Sequence, residues 1–204
     1  MIKTIYFDLG NVLVDVNKEV ALKIFAAELN ASRQSLLNFP DSEIEKKYET
    51  GEIDTERYLQ GLKDYFKLDE ELSYQYLKKI WRQPFTIIAD SVEILDKVRE
   101  QTNVVLLSNT NPLHIDAVDS KYPDLLDRFD DKIFSFTAGA SKPDPKIYDF
   151  ALNKVGVNPA QALFIDDLEE NIAAAEEKGI DSHLFRKHDQ LINFLARNGI
   201  KVEL

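Results

Sequence analysis

The chain has 204 residues, 44% of them hydrophobic and 30% charged, with seven Gly and seven Pro; this is ordinary globular composition, sized for one domain with an elaboration or lid, and it excludes fibres, disorder and a tiny binding module. A formal charge of −11 excludes a sequence-independent nucleic-acid surface, which needs clustered Lys and Arg, and requires an anionic substrate to be met by a metal ion or a placed lysine. The absence of cysteine excludes disulfides, thiolate nucleophiles and cysteine-ligated metals and points to a cytoplasmic setting, while no apolar stretch reaches the ~20 residues of a membrane span.

In chain order, Thr4 to Phe7 reads as a buried strand that stops at Asp8. Cut short by that acid, the run resembles no signal peptide. Residues 16–86 then lack a convincing strand and read as successive helices: "KEVALKIFAAEL", "DSEIEKKYE", "TERYLQGLKDYF" and "LSYQYLKKIW". Gly51 supplies a turn among them, and Tyr58, Tyr65, Phe66 and Trp81 read as lid core, with substrate contact as the other reading. A helix follows over Ser91 to Gln101, with Val92, Leu95 and Val98 on one face, then a strand over Val104 to Leu107 that leads into Ser108.

Ile133 to Phe136 reads as a third strand, Pro145 to Val155 as a helix closed by Gly156, and Leu163 to Ile165 as a fourth strand. Glu169 to Lys178 is a helix closed by Gly179, and Ser182 to Phe185 is a plausible fifth strand. Asp189 is placed to cap a last helix carrying Leu191, Ile192, Leu195 and Ala196, closed by Gly199. Alternating strands and helices predict an α/β fold, a parallel sheet with helices on both faces. The core is 1–15 and 87–204, with 16–86 inserted as a helical cap over the carboxyl ends of the strands.

In such a sheet, loops leaving the carboxyl ends of neighbouring strands converge on one crevice. Asp8, the run Ser108-Asn109-Thr110-Asn111, Lys142 and the pair Asp166-Asp167 all lie on such loops. Each has an ordinary structural reading: turn former, strand end, surface lysine, helix cap. Together they read differently, because acids gathered on strand ends repel one another unless a divalent cation lies between them, and hard oxygen ligands suit Mg²⁺. Ser108, Asn109 and Thr110 offer donors for phosphate oxygens, and Lys142 a fixed positive charge. This set describes phosphoryl transfer with a carboxylate nucleophile. His114 reads as a cap or surface residue in a loop rather than a general base.

With these segments in this order, the chain resembles the haloacid dehalogenase superfamily over essentially its whole length. The resemblance implies a Rossmann-like core with an inserted helical cap, Asp8 in "FDLGNVLVD" as nucleophile, and Ser108, Lys142 and Asp166-Asp167 as the remaining motif residues. It also implies Mg²⁺ held by Asp8, the Gly10 carbonyl and the acid pair, with Asp167 a direct ligand and Asp166 either ligating or bracing Lys142. "FDLGNVLVD" and "LSNTNPLH" look closest to bacterial sugar-phosphate phosphatases of the α-D-glucose-1-phosphate kind.

The implied activity is Mg²⁺-dependent hydrolysis of a small phosphate ester through an aspartyl-phosphate on Asp8. The partners are small molecules, with no nucleic acid and no membrane, and the sequence assigns no oligomeric state. At Gly10 the chain departs from the pattern, since most phosphatases of the family carry there a second Asp as general acid–base, help worth about 10²–10⁴-fold. Anomeric phosphates, with a more acidic leaving oxygen, would suffer least. Asn11 can place a water but not protonate a leaving group, and Asp15 reads as an anchor for the turn into the cap. A 2-haloacid dehalogenase tolerates Gly10 but not the acid pair, and a non-catalytic phosphate-binding protein is the third reading.

Overall fold

The computed structural model describes residues 1–70 and 72–203. Its centre is strand β1, Thr4–Phe7, which is buried along its whole length. Short, apolar and β-branched at two positions, this strand has no face that tolerates water, and it sits mid-sheet accordingly. The other sheet strands are β4 (Asn103–Ser108), β5 (Asp131–Phe134), β6 (Ala162–Asp166) and β7 (Asp181–Leu184), in the order β5-β4-β1-β6-β7. Every pairing between them is parallel.

Alternation along the strands divides the interior in two. Ile5, Phe7, Val104, Leu106, Leu163 and Ile165 face one layer, where α6 (Ala89–Arg99), α7 (Pro112–Lys121) and α11 (His188–Arg197) pack. Tyr6, Val105, Leu107, Ile133 and Phe164 face the other, covered by α9 (Pro145–Val155) and α10 (Glu169–Glu177). Tyr6 is tolerated there because its hydroxyl donates to the Ala151 carbonyl at 3.0 Å.

Between β1 and α6 lie the helices α1 (Lys18–Glu28), α2 (Arg33–Asn38), α3 (Glu43–Glu49), α4 (Thr55–Phe66) and α5 (Tyr74–Trp81). They share a separate apolar cluster containing Phe25, Leu36, Tyr48, Tyr58, Leu62 and Leu77. Tyr48 and Tyr58 stack with centroids 3.9 Å apart, so these aromatics fill the helical layer. Leu113 of α7 joins the cluster and ties the layer to the core. Gly51, at φ +72°, approaches the core so closely that an added Cβ would lie 2.3 Å from the Phe136 carbonyl oxygen.

Several boundaries differ from the sequence reading. A two-stranded antiparallel ribbon, β2 (Val14–Val16) with β3 (Phe85–Ile87), carries both connections to the helical layer; each strand is three residues long, too short for alternation to register. The third strand is Asp131–Phe134 rather than Ile133 to Phe136, because Ser135–Ala138 forms a short helix, α8. Lys187, not Asp189, occupies the cap of α11, and Asp189 falls in its first turn. His114 is not in a loop: Asn111 caps α7, Pro112 opens it, and His114 lies within. Among the described residues, no helix is long and apolar enough to cross a membrane.

Candidate active site

The strand ends place the polar residues. Asp8 continues β1 by one hydrogen bond, its N–H donating to the Ile165 carbonyl at 2.9 Å, which fixes the carboxylate beside the end of β6. Asp166 ends β6 and is fully buried, while Asp8 is 8% exposed. Two such carboxylates are costly unless a cation and donors meet them.

Lys142 meets both. Its ammonium lies 2.8 Å from Asp8 Oδ1, 2.7 Å from Asp166 Oδ2 and 2.9 Å from the Leu107 carbonyl, so its three donors are all used. The lysine is aimed by Asn109, whose side chain both donates to the Lys142 carbonyl and accepts from the Lys142 N–H, each at 2.7 Å. The sequence reading gave Asn109 to the substrate; instead its amide clamps the lysine backbone. Asp166 is braced further by the Leu168 N–H at 2.8 Å and by Asn171 Nδ2, 3.0 Å from both carboxylate oxygens.

One ammonium between two buried carboxylates leaves negative charge uncompensated. Burial pushes the Asp8 carboxyl up to about 6, against the pull of Lys142 and with the repulsion of Asp166. Burial pulls the other way on Lys142, yet the charges of Asp8 and Asp166 outweigh it and hold the ammonium above its ordinary value. Asp167 adds another carboxylate, and Asp8, Asp166 and Asp167 offer oxygens that all lie within 4.8 Å of one another. Opposed ligands of a Mg²⁺ octahedron are about 4 Å apart, so this all-oxygen, net-negative set fits such an ion after small side-chain rotations. Asn11, in the left-handed region at φ 55°, donates from Nδ2 to Asp167 Oδ2 at 3.0 Å and steadies that acid. The bridge that shapes this turn uses the Leu9 and Val14 carbonyls and leaves that of Gly10 outside it.

Ser108 is buried at the end of β4, and Thr110 is held by a two-way link with Ser135: the Thr110 N–H donates to Ser135 Oγ at 2.9 Å, and that hydroxyl donates to the Thr110 carbonyl at 2.8 Å. His114 is enclosed against Trp81, with ring centroids 4.1 Å apart, and burial pulls its pKa down to about 4. It is a neutral packing residue, neither cap nor surface.

Sequence reasoning missed the acids that the helical layer brings to this crevice. Glu45, buried on α3, accepts from Tyr58 Oη at 2.7 Å and from Asn111 Nδ2 at 2.9 Å. Burial pushes its carboxyl up to about 7. Glu49, one turn on, accepts from Ser141 Oγ at 2.8 Å, next to Lys142. Their spacing in "EIEKKYE" was visible, but it equally describes a solvated helix face.

A family model described as haloacid dehalogenase-like hydrolase matches residues 2–179. The chain is 29% identical over 189 residues to a D-ribitol-5-phosphate phosphatase of Bacteroides thetaiotaomicron, covering 89% of this chain and 91% of that protein. Among solved structures, a predicted HAD-like hydrolase of Porphyromonas gingivalis is 29% identical with a TM-score of 0.83, covering 99% of this chain and 100% of the other. A HAD-family enzyme of Bacteroides thetaiotaomicron in complex with magnesium and inorganic phosphate is 26% identical with a TM-score of 0.81, covering 94% and 99%.

Proposed function

The chain belongs to the haloacid dehalogenase-like hydrolases, and from that premise we propose that it is a Mg²⁺-dependent phosphatase of a small sugar or polyol phosphate, with Asp8 as nucleophile. The observation that carries the reading is Lys142 bridging Asp8 and Asp166, with Asp167 completing a set of oxygens within 4.8 Å. The magnesium-and-phosphate complex of one structural neighbour and the polyol-phosphate activity in one relative's name support it.

In this reading Lys142 grips Asp8 Oδ1 and orients the carboxylate, whose attack on phosphorus forms an aspartyl-phosphate as the ester oxygen departs. Ser108 and Thr110 present donors to the transferred group, and Asn109 keeps Lys142 in place. Asp8, Asp167, the Gly10 carbonyl and Asp166 hold Mg²⁺, with Asp166 also bracing the lysine. When bound, the ion neutralises charge on the phosphoryl oxygens. Residues 16–86 form the cap over the core of 1–15 and 87–204, and they set which ester enters. The acid pair argues against a 2-haloacid dehalogenase, a reaction that needs no such site.

A phosphate-release assay over anomeric and primary sugar and polyol phosphates, with and without EDTA, tests this. Turnover stops in EDTA and in Asp8→Asn. Full turnover in that variant removes Asp8 as the nucleophile.

A further inference from the structure

We propose that Glu49, carried on the cap, is the proton donor and acceptor that Gly10 cannot be. The inference rests on the phosphatase reading above and deepens it. At Gly10 an added Cβ would meet nothing within 4 Å, so the place where a second acid would project from the nucleophile's own turn is open space. A phosphatase with an alkoxide leaving group still needs a proton from somewhere.

The other acids around the crevice are committed. Asp8 and Asp166 share the Lys142 ammonium, and Asp167 accepts from Asn11. Both oxygens of Glu45 are taken, by Tyr58 and by Asn111. Asp15 is exposed on the ribbon strand β2.

Glu49 differs. It ends α3, where Gly51 presses against the Phe136 carbonyl, so the cap is seated on the core there. Ser141 Oγ holds its Oε1 at 2.8 Å, one residue before the lysine that grips the nucleophile. Burial raises its pKa, against the Ser141 bond and the Lys142 charge, so it keeps a proton closer to neutrality than an exposed glutamate. The charged groups that face it are Lys142 from the loop before α9 and Glu45 on its own helix; α8, packed against α3, brings no charged side chain, and α4 brings the Tyr58 hydroxyl, which is bonded to Glu45.

The proton balance closes over two steps. As Asp8 bonds to phosphorus and the phosphorus–oxygen ester bond breaks, the Glu49 carboxylic acid protonates the departing alkoxide and releases an alcohol. Glu49, now a carboxylate, then takes a proton from water as that water's oxygen attacks phosphorus and the Asp8–phosphorus bond breaks. Inorganic phosphate leaves, and both residues return to their starting states.

Glu49→Gln keeps the size of the side chain and an acceptor for Ser141. It is compared with the parent on D-ribitol 5-phosphate, whose alkoxide needs a proton, and on p-nitrophenyl phosphate, whose phenolate does not. The expected result is a loss in kcat/KM of about 10²-fold on the polyol ester and a much smaller loss on the aryl ester, because kcat/KM ends at formation of the aspartyl-phosphate, while kcat falls on both esters, because the same base serves the second step they share. The alkaline limb of the kcat/KM profile on the polyol ester disappears, and adding Gly10→Asp restores turnover. Equal loss in kcat/KM on the two esters, a change in KM alone, or no recovery with Gly10→Asp overturns the inference. Asp8→Asn is run alongside: if it still turns over either ester, Asp8 is not the nucleophile and the reading on which the inference rests falls, and if it is inactive while the parent turns over, a failure belongs to Glu49 alone.

Discussion

Lys142 carries more of this site than any other side chain, because it is a single cation set between two buried carboxylates. Removing one partner from a buried charge cluster leaves the rest uncompensated, at a cost of about 3–5 kcal/mol. Lys142→Met, which keeps the length of the stem, is expected to lower stability to urea at pH 8 in EDTA by that order. Without the pull of Lys142 the Asp8 carboxyl of the variant lies above the parent's about 6, so as the pH falls from 8 towards 6 its protonation relieves the repulsion and the deficit narrows. A variant as stable as the parent at pH 8 would show that the ammonium compensates nothing. At this scale the sequence was informative: Asp8, Ser108 and Asp166 each end an apolar run, and Lys142 stands in a loop between Ser141 and Pro143. The roles of Asn11 and Asn109 were not legible, since each orients a residue distant in the chain, and an isolated asparagine looks like any turn former.

At the scale of elements, α3, α4 and α7 meet at the Glu45 carboxylate, through Tyr58 and Asn111. Burial raises this carboxyl from 4.5 to about 7, so the folded state holds its proton more tightly than the unfolded chain does. The stability it contributes is therefore fully present below about pH 4.5 and is lost as pH rises through 7. Glu45→Gln fixes the neutral form. With both proteins in EDTA, so that Asp8 titrates alike in each, the parent should lose stability relative to the variant between pH 5 and 8, by up to about 3 kcal/mol. Parallel urea midpoints across that range would mean that Glu45 ionises in the fold as easily as in water. None of this was readable from "EIEKKYE", because docking the helix, not its periodicity, buries the acid. The sheet strands and the helices α6, α9 and α10 were legible, since burial on a sheet imposes strict patterns. The ribbon β2-β3 was not, and α7 hid behind a polar start, "NTNPLH", whose asparagine and proline are in fact its cap and first residue.

The whole molecule works against its own site. A net charge of −11 repels a phosphate dianion at a distance, whereas Lys142 and a bound divalent cation reverse the sign within the crevice. The local attraction acts over a few ångströms inside low-dielectric walls and is little screened, whereas the repulsion acts across solvent and is screened readily. Raising ionic strength shortens the Debye length from ~30 Å at 0.01 M to ~8 Å at 0.15 M, so it weakens the opposing term more than the favourable one. With Mg²⁺ saturating at every point, kcat/KM for a dianionic ester should therefore rise with added potassium chloride, the reverse of the behaviour of an enzyme that steers its substrate in. The gain should appear in kcat/KM and not in kcat, since the field acts on encounter and not on the bound ester. A fall in kcat/KM with salt would mean that the crevice projects its positive charge beyond the helical layer, and that the acidic surface is arranged away from the path of approach.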